Sequence, residues 1–276
     1  MRSMSPKYRI TPSLLNKWQD LLDADKHWEE WYGNSDEPSI SSEDYYAKCE
    51  QELLDACNRV PFVSEAASRG TALNELVDCI LENRKPKEGM TASRVYAEDG
   101  NDGESGRDIM KPTAIRVALD GFEFLFDIGL VRSIAEYFKD ATCQYRCEAV
   151  MDTIYGPVIL YGDADYIMRD IVYDLKSTSK YSAYGKFESG WQKVLYPWAL
   201  VESGEMESVS GFEYTIVPLS GGTAASPLIT GEIKREYYAY NHDVSTALLR
   251  STLENFICWI EAHRELITHP RIFNEI

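Results

Sequence analysis

Apolar side chains recur at helical spacing through most of the first 85 residues. The segment Thr11–Tyr32 predicts one long helix, with Thr11 as the N-cap and Pro12 in the first turn. A second helix is predicted over Ser41–Cys57, where serine and acidic residues open the segment in the manner of a capping box. A third is predicted over roughly Ser64–Asn83, and its apolar stripe consists of Leu73, Leu76, Val77, Ile80 and Leu81. Residues 1–90 are therefore expected to form a mainly helical N-terminal part.

The pattern changes to strand-like alternation after the Gly- and Asp-rich segment Glu98–Asp108, which is typical of a surface loop. Two short strands around Asp120-Gly121 predict a hairpin, and a helix over 127–138 follows. Further strands are predicted over 143–152, 158–168, 171–178 and 211–219, and further helices over 187–201 and 243–264, with Pro197 limiting or kinking the first of these. This order predicts an α/β (α+β) fold with a central mixed or largely antiparallel sheet flanked by helices, formed by residues 1–276 as a single domain with its sheet core and C-terminal helix in 110–276.

Composition narrows the class of protein. Hydrophobic residues make up 44% and charged residues 26% of the 276 residues, as in ordinary globular proteins. The net charge of −17 argues against a general nucleic-acid coat protein, although an enzyme acting on DNA needs only a local basic path. No apolar run approaches the roughly 20 residues that a membrane span requires. The polar N-terminus lacks a secretory apolar segment, so we expect a cytoplasmic protein without membrane contact.

Aspartates interrupt two neighbouring strands in the stretch Gly162–Lys180 (GDADYIMRDIVYDLKSTSK). Alternation places Asp163 and Asp165 on the face opposite the apolar residues of the first strand, and Asp174 and Lys176 share a face of the second. A two-residue turn at Arg169-Asp170 pairs Met168 with Ile171. That register sets Asp165 across from Asp174, and Asp163 across from Lys176.

Two carboxylates in such a cross-strand pair repel each other unless something compensates their charge. They can share a proton, pair with a cationic side chain, or bind a hard divalent metal. Carboxylates, a metal and Lys176 together would supply an activated water and positive charge for phosphodiester hydrolysis. The alternative is a solvent-facing sheet edge on which aspartate and lysine alternate without a chemical role.

The pattern Gly162-Asp163-Ala164-Asp165, a hydrophobic strand, then Asp174-Leu175-Lys176-Ser177-Thr178 resembles the core motif of the PD-(D/E)xK nuclease superfamily, and more closely its RecB-type branch. The resemblance implies a restriction-endonuclease-like core. It implies Asp165 and Asp174 as metal ligands for Mg²⁺ or Mn²⁺, the backbone carbonyl of Leu175 as a third ligand, and Lys176 as the residue that orients or activates the attacking water.

Two further segments resemble motifs of that branch. Gln192 and Tyr196, at i and i+4 on a predicted helix, match its Gln-x-x-x-Tyr motif; this implies that Gln192 positions the lysine or a substrate phosphate and that Tyr196 braces it. Upstream, Arg69-Gly70-Thr71 matches its Arg-Gly-Thr-x-x-His helix, but Asn74 stands where many relatives have a metal-binding histidine. Asn74 is then a candidate oxygen ligand, with capping or solvent contact as alternatives.

Glu148 on the preceding strand matches an acidic position of the branch and is a further candidate metal ligand, with a solvated strand residue as the alternative. After Cys147 only Cys258 remains, so no iron–sulfur cluster is expected. The absence of a GxxxxGK[ST] sequence predicts no nucleotide cofactor. Candidates for a nucleic-acid path near the site are three lysines and four aromatic residues: Lys180, Lys186, Lys193, Tyr181, Tyr184, Trp191 and Trp198.

The resemblance favours a metal-dependent DNA exonuclease of the phage or recombination-repair type. It would act on DNA ends or single-stranded regions, either as a ring-shaped homo-oligomer or with a single-strand annealing or recombination partner. A structure-specific or restriction-type endonuclease of the same fold is an alternative. So is a catalytically degenerate protein that binds nucleic acid, which the Asn74 departure and the acidic charge favour slightly.

Overall fold

The computed structural model describes residues 5–35, 37–96, 111–181, 183–185 and 187–275, so the predicted loop Glu98–Asp108 and Lys186 lie outside the described residues. Within those ranges the helices are α1 (Pro12–Leu22), α2 (Ala24–Trp31), α3 (Ser42–Cys57), α4 (Glu65–Leu81), α5 (Ile128–Tyr137), α6 (Gln192–Glu202) and α7 (His242–Ala262), with 3-10 helices at Arg264–Leu266 and Pro270–Phe273. The strands are β1 (Tyr8–Ile10), β2 (Thr91–Tyr96), β3 (Pro112–Leu119), β4 (Phe122–Asp127), β5 (Thr142–Thr153), β6 (Gly156–Met168), β7 (Ile171–Thr178), β8 (Gly211–Ser220), β9 (Leu228–Gly231) and β10 (Lys234–Ala239).

The N-terminal helices follow the sequence pattern, with one correction. Ser41 and Ser64 cap α3 and α4 by accepting backbone hydrogen bonds of 3.0 and 3.2 Å. The single helix predicted over Thr11–Tyr32 is wrong, because the chain breaks into α1 and α2 at Asp23. Aspartate is a poor helix former, and Asp23 leaves the helical region at this point with φ of −94° and ψ of 10°.

The strands form one mixed sheet in the order β1-β6-β7-β8-β9-β4-β3-β2, with β5 also paired to β6 and β10 also paired to β8. The predicted mixed sheet flanked by helices is therefore confirmed. Strands β1, β2, β9 and β10 were not predicted. Two of these have only three or four residues, and the other two are mostly exposed and polar, so apolar alternation is weak in all four.

Two hydrophobic cores lie against this sheet. The first contains buried side chains of α1, α3, α6 and α7, and the second contains those of α4 and α5. Strand β6 contributes to both, since Ala164 lies in the first core and Tyr166 in the second. Asp165 is therefore held at the point where one strand passes from one core to the other.

The turn between β6 and β7 pairs as predicted, but the described ladder ends at Tyr166 and Tyr173, so the predicted pairs Asp165–Asp174 and Asp163–Lys176 do not form in it. Met168 pairs with Ile171, and Arg169 adopts a left-handed backbone with φ of 55°. Asp120 and Gly121, with φ of 52° and 81°, form the other predicted hairpin turn between β3 and β4. None of the helices in the described ranges combines the length and apolarity needed to cross a lipid bilayer.

Candidate active site

The predicted site lies where strands β6 and β7 separate, next to Asp165 and Leu175; this place is named here the fork. One edge of β6 is paired with β1 from Val158 to Leu160 and with β7 from Tyr166 to Met168. Between these two described ladders lies the segment 161–165, which includes the aspartates of the GDAD sequence. Strands β6 and β7 therefore separate at Asp165, and the separation makes room for side chains between them.

The carboxylate of Asp165 crosses this fork. Its Oδ2 atom accepts a 2.8 Å hydrogen bond from the backbone nitrogen of Leu175 on β7. The N–H and C=O of one strand residue point to the same side, so the Leu175 carbonyl also faces the fork. The structure thus brings together an Asp165 oxygen and the Leu175 carbonyl, which the family resemblance implies as metal ligands.

Asp174 and Lys176 lie next to each other on β7. Asp174 is 5% exposed, and β7 runs between β6 and β8. The alternative of a solvent-facing sheet edge is therefore wrong. The Nζ atom of Lys176 lies 2.6 Å from Oδ2 of Asp174, so the lysine pairs with this carboxylate.

The charges of these groups influence one another. Burial, reinforced by the nearby carboxylate of Asp174, raises the pKa of Asp165 from 3.8 to about 7. Burial opposes the charge on Lys176, but the carboxylates of Asp174 and Asp165 outweigh it and raise the lysine pKa above its ordinary value. The lysine is therefore an ammonium at neutral pH, and the site holds one positive charge between two carboxyl groups.

Asn74 reaches the fork from α4. Its Nδ2 atom lies 3.5 Å from Oδ2 of Asp165 and 3.4 Å from the carbonyl oxygen of Leu175. Its Oδ1 atom is buried without a hydrogen-bond partner among the described residues. Rotation of this amide by half a turn would exchange its nitrogen and oxygen, and would direct the oxygen at the same two ligands.

Gln192 and Tyr196 lie on α6, as predicted, although this helix begins at Gln192 rather than near residue 187 and continues through Pro197. The Oε1 atom of Gln192 accepts hydrogen bonds of 3.3 Å from Asn16 and 3.5 Å from Tyr214. Tyr196 packs against the backbone of Gly162, and a methyl group added to this glycine would lie 2.6 Å from the ring carbon Cε1 of Tyr196. The glycine of the GDAD sequence therefore allows this close approach.

Two cavities open on the site. One, of about 360 Å³, is lined by Lys176, Gln192, Asn16 and Tyr214 among others. The other, of about 430 Å³, is lined by Asp165 and Asn74. Asp165 and Lys176 are thus each reached from a cavity, whereas Asp174 lines neither of the two.

Glu148 does not lie with this group. It pairs across β5 and β6 with Tyr161, four residues before Asp165, which is a displacement of about 13 Å along a strand. Its carboxylate is exposed and forms ion pairs with Arg9 at 3.2 Å and Arg146 at 2.9 Å. Among the candidates for a nucleic-acid path, Trp191 and Trp198 are buried in the first core, as ordinary core residues are.

Three residues beside the site were missed at the sequence level. Asp78, one helical turn after Asn74, is buried and accepts hydrogen bonds of 2.9 Å from Tyr166 and 3.0 Å from Gln144. Its i+4 spacing from Asn74 was the available signal. Tyr214 lies opposite Asp174 on β8, and Asn16 lies on α1; both are brought in by long-range pairing that no local pattern reveals.

With the Asn74 amide rotated by half a turn, the fork offers oxygen atoms as ligands, which Mg²⁺ and Mn²⁺ accept. They come from Asp165, Asp174, the Leu175 carbonyl and the Asn74 amide. Within the described ranges no three His, Cys, Asp or Glu side chains are grouped as metal ligands. The partnerless Asn74 oxygen and two carboxyl groups held close together nevertheless fit a hard divalent cation, provided that carbonyl and amide oxygens complete the set.

Comparison with known proteins identifies no family for this chain. No family model matches the chain, and no curated protein matches it. A solved structure described as "Crystal structure of SSO0001" aligns with 92% of this chain and 79% of its own length, at 10% identity and a TM-score of 0.33. A similarity this low supports no argument about activity.

Proposed function

We propose that the chain is a metal-dependent deoxyribonuclease with a restriction-endonuclease-like core, and an exonuclease in particular. The observation that carries this proposal is the fork itself. In it the Asp165 carboxylate takes a backbone hydrogen bond from Leu175, beside a buried Asp174 in contact with Lys176. A buried pair of carboxylates with an adjacent ammonium is suited to phosphodiester hydrolysis, because that reaction needs a positioned water and positive charge at the phosphorus.

Asp165, Asp174 and the Leu175 carbonyl would hold Mg²⁺ or Mn²⁺, with Asn74 as a further oxygen ligand. Bound there, the cation would lower the pKa of a water molecule and stabilise negative charge on the phosphate. Lys176, kept protonated by its carboxylate neighbours, donates hydrogen bonds to the attacking water or to a phosphate oxygen. Gln192 lines the same cavity as Lys176 and is placed to position the phosphate.

Tyr196 supports this arrangement from the side of α6. Its ring lies against Gly162 and is largely buried, so it fixes the strand that carries Asp165 relative to the helix that carries Gln192. We assign it a positioning role.

The proposal also covers organisation. We propose that residues 1–276 act as a single nuclease domain on DNA ends or single-stranded regions in the cytoplasm. A homo-oligomer or a recombination partner would supply processivity that one acidic chain lacks.

The test is degradation of end-labelled linear DNA and of covalently closed circular DNA, each with Mg²⁺, with Mn²⁺ and with EDTA. Wild type is compared with Lys176→Ala and with Lys234→Ala, which removes an exposed lysine of β10. Metal-dependent loss of linear DNA alone, abolished only by Lys176→Ala, is the expected result.

Other outcomes select between the alternatives. Cutting of the circle would replace exonuclease by endonuclease. Absence of cleavage by folded wild type with every metal would overturn the nuclease assignment and leave a nucleic-acid-binding protein, in keeping with Asn74 at a position where histidine is expected.

A further inference from the structure

Four arginines from four separate segments converge on the ring of Tyr161 in β6. In three of them the guanidinium carbon lies over the ring: at 4.4 Å from the centroid for Arg146, 4.7 Å for Arg9 and 4.9 Å for Arg271. The fourth, Arg59, donates a 3.1 Å hydrogen bond from Nη2 to the Tyr161 hydroxyl. Stacking on an aromatic face holds the planar guanidinium groups in fixed orientations.

Positive charge in this cluster is only partly compensated. Glu148 pairs with Arg9 and Arg146, and Asp163 pairs with Arg146 at 3.4 Å. Neither Arg59 nor Arg271 forms an ion pair with a carboxylate in the part of the chain that the structure describes. Two guanidinium groups without a carboxylate partner among the described residues therefore meet at one tyrosine in a chain whose net charge is −17.

The backbone at Arg59 adds to this picture. Arg59 follows α3 with φ of 55°, a left-handed conformation that helices usually reserve for glycine or asparagine at this point. An arginine at this position directs a guanidinium group to Tyr161 from a strained backbone. A purely structural turn would be served better by glycine.

Three of these arginines, Arg9, Arg59 and Arg271, line a cavity of about 230 Å³ together with the start of α1; it is named here the Tyr161 cavity. Its polar lining consists of Arg9, Arg59, Arg271, Thr11, Ser13 and Tyr161. Several guanidinium groups can bind the oxygens of one phosphate in bidentate fashion, and serine and threonine hydroxyls at the beginning of a helix favour the same anion. The polar part of the lining therefore suits an oxyanion such as a phosphate group, beside the apolar side chains of Leu14, Ala56 and Ile272.

The position of the cavity relates it to the fork. Tyr161 precedes Asp165 by four residues on β6, so the two lie about 13 Å apart along the strand. Arg146, paired with Asp163, lies between them. A strand of nucleic acid cleaved at Asp165 would therefore extend over the cavity within a few nucleotides.

We propose that the Tyr161 cavity binds a phosphate group of the nucleic-acid strand that is cleaved at the fork; this deepens the nuclease function proposed above and rests on it. The phosphate is either a terminal phosphomonoester or an internal phosphodiester, since both present the same oxygens to Arg59 and Arg271. The cavity supplies the local basic contact that an acidic chain needs to hold DNA.

The experiment measures binding without catalysis. Internally labelled single-stranded 20-mers with a 5′-phosphate, a 3′-phosphate or neither are titrated by fluorescence anisotropy in EDTA, at several salt concentrations. The variant is Arg59→Gln with Arg271→Gln. The matched control is Arg94→Gln with Arg132→Gln, which removes two exposed arginines of β2 and α5. A third protein, Arg59→Lys with Arg271→Lys, keeps the charge and removes the planar set of N–H donors of each guanidinium group.

We expect the Arg59 and Arg271 glutamine variant to bind at least about tenfold more weakly than wild type. Its plot of log affinity against log salt concentration should be shallower by about 0.7, the contribution of one phosphate contact on a single strand. The affinity of the Arg94 and Arg132 control should stay within about twofold of wild type. The affinity of the lysine variant should lie between those of wild type and the glutamine variant. Thermal unfolding of all proteins verifies that each is folded.

The two sources of phosphate give different patterns. If a terminal phosphate strengthens binding to wild type and not to the glutamine variant, the cavity holds that terminus. If the loss is equal for all three oligonucleotides, it holds an internal phosphate. Equal affinity of the glutamine variant and its control, or no DNA binding by wild type, would overturn the proposal. Cleavage by wild type is measured separately. If wild type does not cleave DNA but the glutamine variant still binds it more weakly, the nuclease function is wrong and the phosphate-binding role of the Tyr161 cavity stands.

Discussion

The Oδ2 atom of Asp165 accepts a 2.8 Å hydrogen bond from the backbone nitrogen of Leu175, so a side chain occupies the place of a strand carbonyl at the fork between β6 and β7. The ladder ends one residue away, at Tyr166 and Tyr173. The carboxylate is therefore held by the sheet rather than by a loop. Fixed geometry of this kind favours catalysis, because little reorganisation is needed when the substrate binds.

Lys176→Gln is predicted to lower the rate of DNA cleavage by about 10²–10³-fold, since it removes a preorganised positive charge beside the reacting phosphate. The measurement is single-turnover cleavage of end-labelled DNA under saturating Mg²⁺. Lys234→Gln, which changes an exposed lysine in the same way, should keep the wild-type rate. Equal rates for wild type and Lys176→Gln would remove this lysine from the reaction.

Asp165→Asn is predicted to stabilise the metal-free protein, and to do so more strongly at pH 8 than at pH 5. The folded protein raises the pKa of Asp165 from 3.8 to about 7, so between these values it binds more protons than the unfolded chain does. The stability contributed by this group therefore falls as pH rises through that window, and asparagine removes the loss. Thermal unfolding in EDTA from pH 5 to pH 8 measures it.

The matched control for that series is Asp152→Asn, an exposed carboxylate on β5. Its difference from wild type should not follow the same pH dependence. A constant difference between Asp165→Asn and wild type across the whole range would show that Asp165 titrates as it does in the unfolded chain.

Mg²⁺ or Mn²⁺ at about ten times its dissociation constant is predicted to raise the thermal midpoint of wild type by about 2–4 °C. Binding to the folded state alone contributes about 1.4 kcal/mol at that concentration. Asp174→Asn should show little or no rise, because it removes a charged ligand. Calorimetric thermal scans with and without the metal give both values, and an equal rise in both proteins would place the cation elsewhere.

Asn74→His is predicted to strengthen Mn²⁺ binding relative to Mg²⁺. Asn74 already contacts Asp165 and the Leu175 carbonyl at 3.5 and 3.4 Å, and imidazole is a better ligand for the softer cation. Isothermal titration with each metal gives the ratio of affinities. Asn74→Ala is the control, and a ratio that is the same in the histidine and alanine proteins would argue that residue 74 does not reach the cation.

Gly162→Ala is predicted to destabilise the protein by about 1–3 kcal/mol, since the new methyl group would meet the Tyr196 ring at 2.6 Å. Urea unfolding measures the loss. In the background of Tyr196→Ala the same substitution should cost much less, because the obstacle is gone. Additive costs would mean that Tyr196 is not what requires a glycine there.

The sequence pattern was sufficient where structure is local. The caps at Thr11 and Ser41 and the turn at Arg169-Asp170 depend on residues within a few positions of each other, and the pairing of β6 with β7 next to that turn followed from them. The proximity of Asp165 and Asp174 was therefore predictable from the hairpin alone.

Long-range contacts were not predictable in this way. Glu148 was a candidate ligand by its position in a strand, and only the placement of Arg9 and Arg146 shows that its carboxylate is engaged elsewhere. Burial of Asp78 and the convergence of arginines on Tyr161 depend on elements far apart along the chain. Helical spacing placed Asp78 on the same face of α4 as Asn74, but it gave no sign of the arginine cluster.

Strand β6 runs through both hydrophobic cores and changes from one to the other at Asp165, between Ala164 and Tyr166. Neither core can melt without releasing this strand, so denaturant should unfold the protein in one cooperative step. Partially unfolded forms that keep an intact Asp165 site would then be absent. The Asp165 site and the fold are therefore expected to be lost in the same unfolding transition.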